Sequence, residues 1–239
     1  MELRSRNSQP DALRGRTGQH TGSVLRFLLF DLDETLYPAQ TGMFDEIGQL
    51  INRYMEERVG IPPQQVLHLR RLYYERYGTT LRGLQIHHQV DPEDYLTYVH
   101  QVDLTSYIHP NPALDQALAG LPQEKAIFTN ATAEHARRVV EVVGVSHHFQ
   151  RIFDIRALGY FCKPLPQAYQ IVLKALPAVG PECLLIDDTL RNLRAGHEAG
   201  MHTLWIGARP GPQDGTDYCA TDVVRVGEVV LDLMPGQVR

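Results

Sequence analysis

The fold is decided by the stretch VLRFLLFDLDETLY, residues 24–37, in which a short apolar segment runs directly into acidic residues. Residues 24–30 are almost all apolar, which is typical of a strand buried on both faces of a parallel sheet. Similar segments recur downstream, at 126–128, 151–153, 183–186 and 202–206. Helical patterns lie between them at 133–143, 165–176 and 190–199. This alternation predicts an α/β fold with a Rossmann-like parallel sheet.

A long segment after the first strand has only helical patterns. Ile47, Leu50, Ile51 and Tyr54 recur at helical spacing, and the Asp91-Pro92 pair is typical of a helix start. About sixty residues of helix are too many for a simple crossover connection. We therefore predict an all-helical cap domain at 43–103, inserted into a core domain formed by 23–42 and 104–239.

Composition and charge exclude several classes of protein. The 239 residues carry 23 Lys and Arg against 28 Asp and Glu, a net charge of -5, which disfavours a nucleic acid polymer as partner. No apolar run reaches the roughly 18–20 residues that cross a bilayer, so no membrane partner is expected. The three cysteines lack metal-binding spacing and are predicted to be reduced thiols of a cytoplasmic protein. Residues 1–22 lack an apolar signal core and are predicted to form a disordered tail.

Polar residues stand where the predicted strands end. They comprise carboxylates, a hydroxyl, amides and one lysine: Asp31, Asp33, Thr129, Asn130, Lys163, Asp187, Asp188 and Asn192. Because parallel strands end at one edge of the sheet, we expect these side chains to converge there. Crowded carboxylates repel one another unless a cation neutralises them, and an all-oxygen ligand set favours Mg²⁺. The sequence therefore predicts a magnesium-dependent phosphoryl-transfer site.

Four short motifs at these positions resemble a known family. DLDETLY (31–37), TN (129–130), KP (163–164) and DDTLRN (187–192) are similar, in content and order, to the motifs of the haloacid dehalogenase-like (HAD) superfamily of phosphohydrolases. The helical insertion after the first motif resembles a C1-type cap. The resemblance implies Mg²⁺-dependent hydrolysis of a small-molecule phosphate monoester through an aspartyl-phosphate.

The resemblance also implies a role for each catalytic residue. Asp31 would attack phosphorus, and Asp33 would act first as general acid and then as general base. Thr129, Asn130 and Lys163 would bind the phosphoryl group. An aspartate at position 33 favours a phosphatase, because the dehalogenases of this superfamily lack it.

The metal ligands implied by the resemblance are the Asp31 carboxylate, the Asp33 backbone carbonyl and Asp188. Asp187 and Asn192 would contact and orient the metal ligands without binding the ion themselves. Either residue alone is also compatible with capping the helix near residue 190.

A second resemblance concerns the cap. YYERYGTTLRGL (73–84), followed by His87, His88 and Asp91, resembles the pyrimidine 5′-nucleotidase branch, which implies UMP and CMP as substrates. Arg82 and Tyr77 are the candidate specificity residues, with packing inside the cap as the alternative for Tyr77.

Other prominent side chains receive structural interpretations. The pairs His87-His88 and His147-His148 lack a third His or Cys nearby and are predicted to have surface or core roles. Arg137, Arg138, Arg191 and Arg194 are predicted to lie on solvated helix faces, and Trp205 is predicted to be a core residue.

Three functional alternatives remain open from the sequence. One is a phosphatase for another small phosphate, such as a sugar phosphate, and another is a phosphomutase whose cap excludes water. The third is a catalytically silent binding protein on the same fold. The oligomeric state and the role of residues 1–22 are not determined by the sequence.

Overall fold

The computed structural model describes residues 24–207 and 215–234, so the tail predicted at 1–22 lies outside the described residues. The strands of the described part are β1 (Phe27–Phe30), β2 (Glu124–Phe128), β3 (Phe149–Phe153), β4 (Cys183–Asp187), β5 (His202–Ile206) and β6 (Tyr218–Ala220). They form one parallel sheet in the order β3-β2-β1-β4-β5-β6. The predicted α/β class is confirmed, and β6 is a strand that the sequence analysis did not predict.

Helices cover both faces of this sheet and fill the long insertion. They are α1 (Met43–Glu57), α2 (Pro63–Tyr77), α3 (Thr80–His88), α4 (Pro92–Val99), α5 (Pro112–Ala119), α6 (Ala133–Val143), α7 (Pro166–Ala175), α8 (Leu190–Glu198) and α9 (Val226–Leu233). The helix predicted at 133–143 has those bounds, and the next two differ by one residue or none at each end. None of the described helices is long and apolar enough to cross a membrane.

The central strand β1 is buried on both faces, as its continuous apolar sequence predicts. Phe27 and Leu29 pack into one apolar cluster, while Leu28 and Phe30 pack into the other. All four side chains are at most 5% exposed. The alternation fixes the register of the strand, because a slip of one residue would exchange the two faces.

The regular elements of the inserted segment are all helices, with α1–α4 following one another between β1 and α5. Helix α1 buries Ile47, Leu50 and Tyr54, three residues of the predicted apolar stripe. Helix α4 starts at the predicted signal, with the Asp91 side chain accepting from the backbone N–H of Glu93. The helical character is confirmed, and the division into core and cap domains stays a prediction.

Arg156 connects the inserted helix α4 to the segment after β3 through an ion pair. Its Nε and Nη2 donate to the Glu93 carboxylate over 2.8–3.0 Å, and Tyr160 Oη donates to the same group over 2.5 Å. The hydrogen bonds from Arg156 and Tyr160 lower the pKa of Glu93 to about 2. The carboxylate of α4 is therefore charged across the whole physiological range.

Arg191, on α8, makes a second connection. Its guanidinium lies 3.5 Å from the centre of the Tyr74 ring and donates to the carbonyls of Tyr74 and Gly78 over 2.5 and 2.6 Å. Arg138 likewise donates to the carbonyls of His100 and Val102. The prediction that these arginines lie on solvated helix faces is wrong for Arg191, which is only partly exposed and whose guanidinium donates to carbonyls at the end of α2. Arg138 is exposed, as predicted, and its guanidinium also reaches two carbonyls of the insertion.

Candidate active site

Lys163 lies between two of the carboxylates that follow the strands at the carboxyl edge of the sheet. Its Nζ lies 2.7 Å from Asp31 Oδ1 and 2.7 Å from Asp187 Oδ2, and its side chain is only 1% exposed. Asp31 follows β1 and Asp187 ends β4, the adjacent strand, and the Asp31 N–H donates to the Ile186 carbonyl over 2.8 Å. The attraction of the two carboxylates outweighs the effect of burial and raises the pKa of Lys163, which is therefore charged.

Asp187 is the most heavily bonded carboxylate of the cluster. It is fully buried, and besides Lys163 it accepts from the Thr189 N–H over 2.8 Å and from Asn192 Nδ2 over 3.1 Å at both oxygens. Tyr169 Oη in turn donates to the Asn192 carbonyl over 2.7 Å. Thr189, not Asp187 or Asn192, is the N-cap residue of α8. The two predicted supporting residues thus hold the lysine in place.

The segment after β2 fixes the backbone of the lysine. Asn130 Oδ1 accepts from the Lys163 N–H over 2.7 Å, and Asn130 Nδ2 donates to the Lys163 carbonyl over 3.0 Å. Thr129 is buried, and its hydroxyl oxygen accepts from the Ala131 N–H over 3.0 Å. All three predicted phosphate-binding residues line the same cavity as Asp31.

Asp33 is held by two residues that the sequence analysis did not select. Tyr37 Oη donates to Asp33 Oδ1 over 2.7 Å, and His135 Nε2 lies 3.2 Å from the same oxygen. Burial alone would raise the pKa of Asp33, but the His135 and Tyr37 contacts together lower it. The four-residue spacing between Asp33 and Tyr37 is a signal in the sequence, whereas nothing local points to His135.

A second imidazole covers His135. The His100 ring stacks on it, with centroids 4.4 Å apart and planes 19° from parallel. Burial lowers the pKa of His100 to about 3, so this ring is neutral. His100 belongs to the end of α4 and His135 to α6, so the stack joins the insertion to the residue that holds Asp33.

The carboxylates meet the requirements of a hard divalent cation. Oxygens of Asp31, Asp187 and Asp188 lie within 4.8 Å of one another. Burial raises the pKa of Asp31 well above its usual value, and burial, Asp187 and Glu34 raise that of Asp188 to about 7. Both shifts mean that the ionised forms of Asp31 and Asp188 are unfavourable with Lys163 as their only nearby cation. A bound divalent cation would stabilise these ionised forms.

Free ligand oxygens remain after the lysine is accounted for. Lys163 occupies one oxygen of Asp31, and Asp188 accepts only long contacts from the hydroxyls of Thr35 and Thr189, at 3.4 and 3.3 Å. The Asp188 backbone carbonyl accepts from Trp205 Nε1 over 2.8 Å, so the predicted core tryptophan also positions this residue. An all-oxygen donor set of this kind fits Mg²⁺.

A cavity of about 560 Å³ opens above these groups. Its floor contains the catalytic candidates Asp31, Asp33, Thr129, Asn130, Lys163 and Asp188. Its walls come mostly from the inserted helices and are largely apolar, with Phe44, Ile47, Leu67 and Tyr95 beside the polar Arg70 and Arg71. The arrangement suits a small molecule with one anionic end at the floor.

The two candidate specificity residues do not line this cavity. Tyr77 Oη shares a hydrogen bond with His87 Nε2 at 2.7 Å, and the Arg82 N–H donates to the Thr79 hydroxyl that caps α3. Tyr74, on the same helix as Tyr77, does line it. His87 and His88 bond to Tyr77 and Tyr73, in agreement with the predicted surface role. All three cysteines are buried.

Residues 25–200 match the family model described as haloacid dehalogenase-like hydrolase. The match spans most of the chain, and the chain therefore belongs to this family. Among curated proteins, it is 26% identical over 196 residues to Phosphate metabolism protein 8 of Saccharomyces cerevisiae. The aligned part is 74% of this chain but only 60% of that relative's length.

Solved structures show the same fold at low identity. L-2-haloacid dehalogenase from Xanthobacter autotrophicus, with chloropropionic acid covalently bound, has a TM-score of 0.58 at 15% identity, covering 90% of this chain and 100% of that one. A HAD phosphatase from Thermococcus onnurineus has a TM-score of 0.58 at 15% identity, covering 86% and 98%. The magnesium-bound HAD-hydrolase YfnB from Bacillus subtilis has a TM-score of 0.53 at 18% identity, covering 87% and 99%.

Proposed function

We propose that this chain is a Mg²⁺-dependent phosphate monoester hydrolase that works through an aspartyl-phosphate, with pyrimidine nucleoside 5′-monophosphates as preferred substrates. The observation that carries the proposal is Lys163 Nζ at 2.7 Å from both Asp31 and Asp187 on the floor of a cavity, with Asp33 beside them. The phosphatase of Thermococcus onnurineus and the magnesium-bound hydrolase of Bacillus subtilis support the chemistry by likeness of fold.

In the first step a carboxylate oxygen of Asp31 forms a bond to phosphorus, and the bond from phosphorus to the substrate oxygen breaks. The electron pair leaves with that oxygen, which takes a proton from Asp33. Lys163 and the Thr129 hydroxyl hold the remaining phosphoryl oxygens. Asp33 must be protonated here, and the negative charge of a bound phosphate favours that form.

In the second step water attacks phosphorus, gives its proton to Asp33 and releases inorganic phosphate from Asp31. The contacts of Tyr37 and His135 with the same oxygen favour the ionised form of Asp33, which is the form that can accept this proton. Mg²⁺ bound by the Asp31 carboxylate, the Asp33 carbonyl and Asp188 would neutralise charge on the phosphate.

Asp33 also separates this proposal from dehalogenation. A haloacid releases a halide ion, which needs no proton, whereas an alkoxide leaving group does. The general-acid role of Asp33 therefore has no counterpart in the release of a halide, and the name of the yeast relative points to phosphate metabolism.

Phosphate release from UMP, CMP, AMP, GMP and several sugar phosphates, with and without Mg²⁺, tests the proposal. We expect hydrolysis of UMP and CMP, dependence on Mg²⁺, and no turnover by the Asp31→Asn variant. Equal hydrolysis of purine and pyrimidine nucleotides would reject the substrate preference, and preferred hydrolysis of a sugar phosphate would favour the alternative small-phosphate phosphatase. Activity retained by Asp31→Asn would reject the nucleophile.

A further inference from the structure

A second cluster of metal-binding side chains lies away from the cavity. His147 and His148 form a short 3₁₀ turn before β3, and both rings turn toward Asp115 on α5. His147 Nε2 lies 3.1 Å and His148 Nε2 lies 2.7 Å from the same oxygen, Asp115 Oδ1. The sequence analysis dismissed this histidine pair for want of a third ligand, and the fold supplies one, Asp115, which lies 33 positions before His148.

We propose that Asp115, His147 and His148 form a binding site for Zn²⁺. Two imidazole nitrogens and one carboxylate oxygen are a common ligand set for this ion, with water at the fourth position. Tetrahedral ligands about 2.0–2.1 Å from zinc are about 3.3 Å from one another, so the observed separations need to grow by only a few tenths of an ångström. This proposal is independent of the proposed phosphatase function.

The surroundings of the three side chains suit such a site. The His148 side chain is 10% exposed and so held by its neighbours, while Asp115 and His147 are 44% and 63% exposed and leave room for water. In the observed contacts an N–H at Nε2 donates to Asp115. Metal binding requires each Nε2 to be unprotonated, with the ring proton on Nδ1.

This site is separate from the carboxylate cluster. His148 stands immediately before the first residue of β3, whereas the catalytic candidates follow the carboxyl ends of parallel strands. The five residues of β3 place roughly 13 Å of strand between these two edges of the sheet. The two clusters also differ in chemistry, because imidazoles favour Zn²⁺ and carboxylates alone favour Mg²⁺. A bound ion would connect α5 to the start of β3.

Zinc titration of the metal-stripped protein by calorimetry, with excess Mg²⁺ present to fill the carboxylate cluster, tests the inference. We expect one Zn²⁺ to bind per chain, and His147→Gln to weaken that binding at least tenfold. His68→Gln, which changes an exposed histidine on α2, is the matched control and should bind as the wild type does. Equal zinc affinity in the wild type and His147→Gln would overturn the proposal.

Cobalt provides a readout of geometry that does not depend on affinity. Co²⁺ at a site with these ligands should give visible absorption typical of four-coordinate cobalt, and Asp115→Asn and His147→Gln should each reduce it. Because both positions are partly exposed, the variants should keep the wild-type circular dichroism. Absorption unchanged in either variant would place the ion elsewhere and refute the assignment.

Discussion

Replacing Lys163 by methionine is expected to lower both stability and activity. The change removes a buried ammonium group from between Asp31 and Asp187, two carboxylates with exposures of 9% and 0%. Breaking a buried ion pair by removing one partner costs about 3–5 kcal/mol. Counting instead the two hydrogen bonds of Lys163 Nζ at about 1.5–3 kcal/mol each gives about 3–6 kcal/mol, which agrees.

A double-mutant cycle makes this prediction specific to the charge. Asp187→Asn leaves the lysine paired with Asp31, so it should cost about 1.5–3 kcal/mol. In Lys163→Met/Asp187→Asn the buried charge at position 187 is gone together with its partner, and the loss should be smaller than the sum of the two single losses by at least about 1 kcal/mol.

Urea unfolding at neutral pH, with a chelator present to remove divalent cations, measures all four free energies of unfolding. A Lys163→Met variant within about 1 kcal/mol of the wild type would refute the reasoning. So would additive losses around the cycle, because they would mean that Lys163 and Asp187 do not interact.

Three further predictions concern the contacts around the site. Gly78→Ala should destabilise the protein more than Gly60→Ala, as measured by thermal unfolding, because both residues have positive φ but only a methyl group at position 78 would meet neighbours at 2.9 Å. His135→Ala should lower kcat about tenfold or more with little change in KM, because it removes a hydrogen bond from Asp33; unchanged kcat would contradict this. The pKa of Glu93 is lowered from 4.5 to about 2, so its ion pair stabilises the fold above pH 4.5 and is lost as the pH falls toward 2. The stability difference between wild type and Glu93→Gln, followed by urea unfolding at several pH values, should shrink over that interval; a constant difference would argue against the ion pair.

The fold was largely predictable because the strongest sequence signals are local. Apolar strands such as β1 are buried on both faces, and the helix at 133–143 has a continuous apolar stripe and a Thr132 N-cap that bonds to the His135 N–H. The strand β6 has only three residues, too short for any periodicity to be recognised. Local patterns therefore identified the long elements and missed the short strand β6 and the eight-residue helices α5 and α9.

The site was predictable only in part, because its contacts come from distant segments. The strand-end rule brings Asp31 near Asp187, since β1 and β4 are neighbours. It does not indicate that His135 turns toward Asp33, a contact across 102 positions of sequence, or that His147 and His148 meet a carboxylate. The motifs identify which residues are present, whereas the packing of helices on the sheet determines which of them touch.

The loop that carries Lys163 also connects the inserted helices to the reaction centre. Cys162 Sγ donates to the Tyr77 carbonyl over 3.3 Å, and a methyl group on Gly78 would lie 2.9 Å from the Lys163 carbonyl oxygen. That same carbonyl accepts from Asn130 Nδ2, so its position is fixed from the sheet side as well. A shift of the Tyr77–Gly78 turn would therefore displace the backbone of Lys163, and with it the position of the Lys163 ammonium group. It follows that substitutions in this turn should alter phosphate binding through Lys163 even though Tyr77 does not line the cavity.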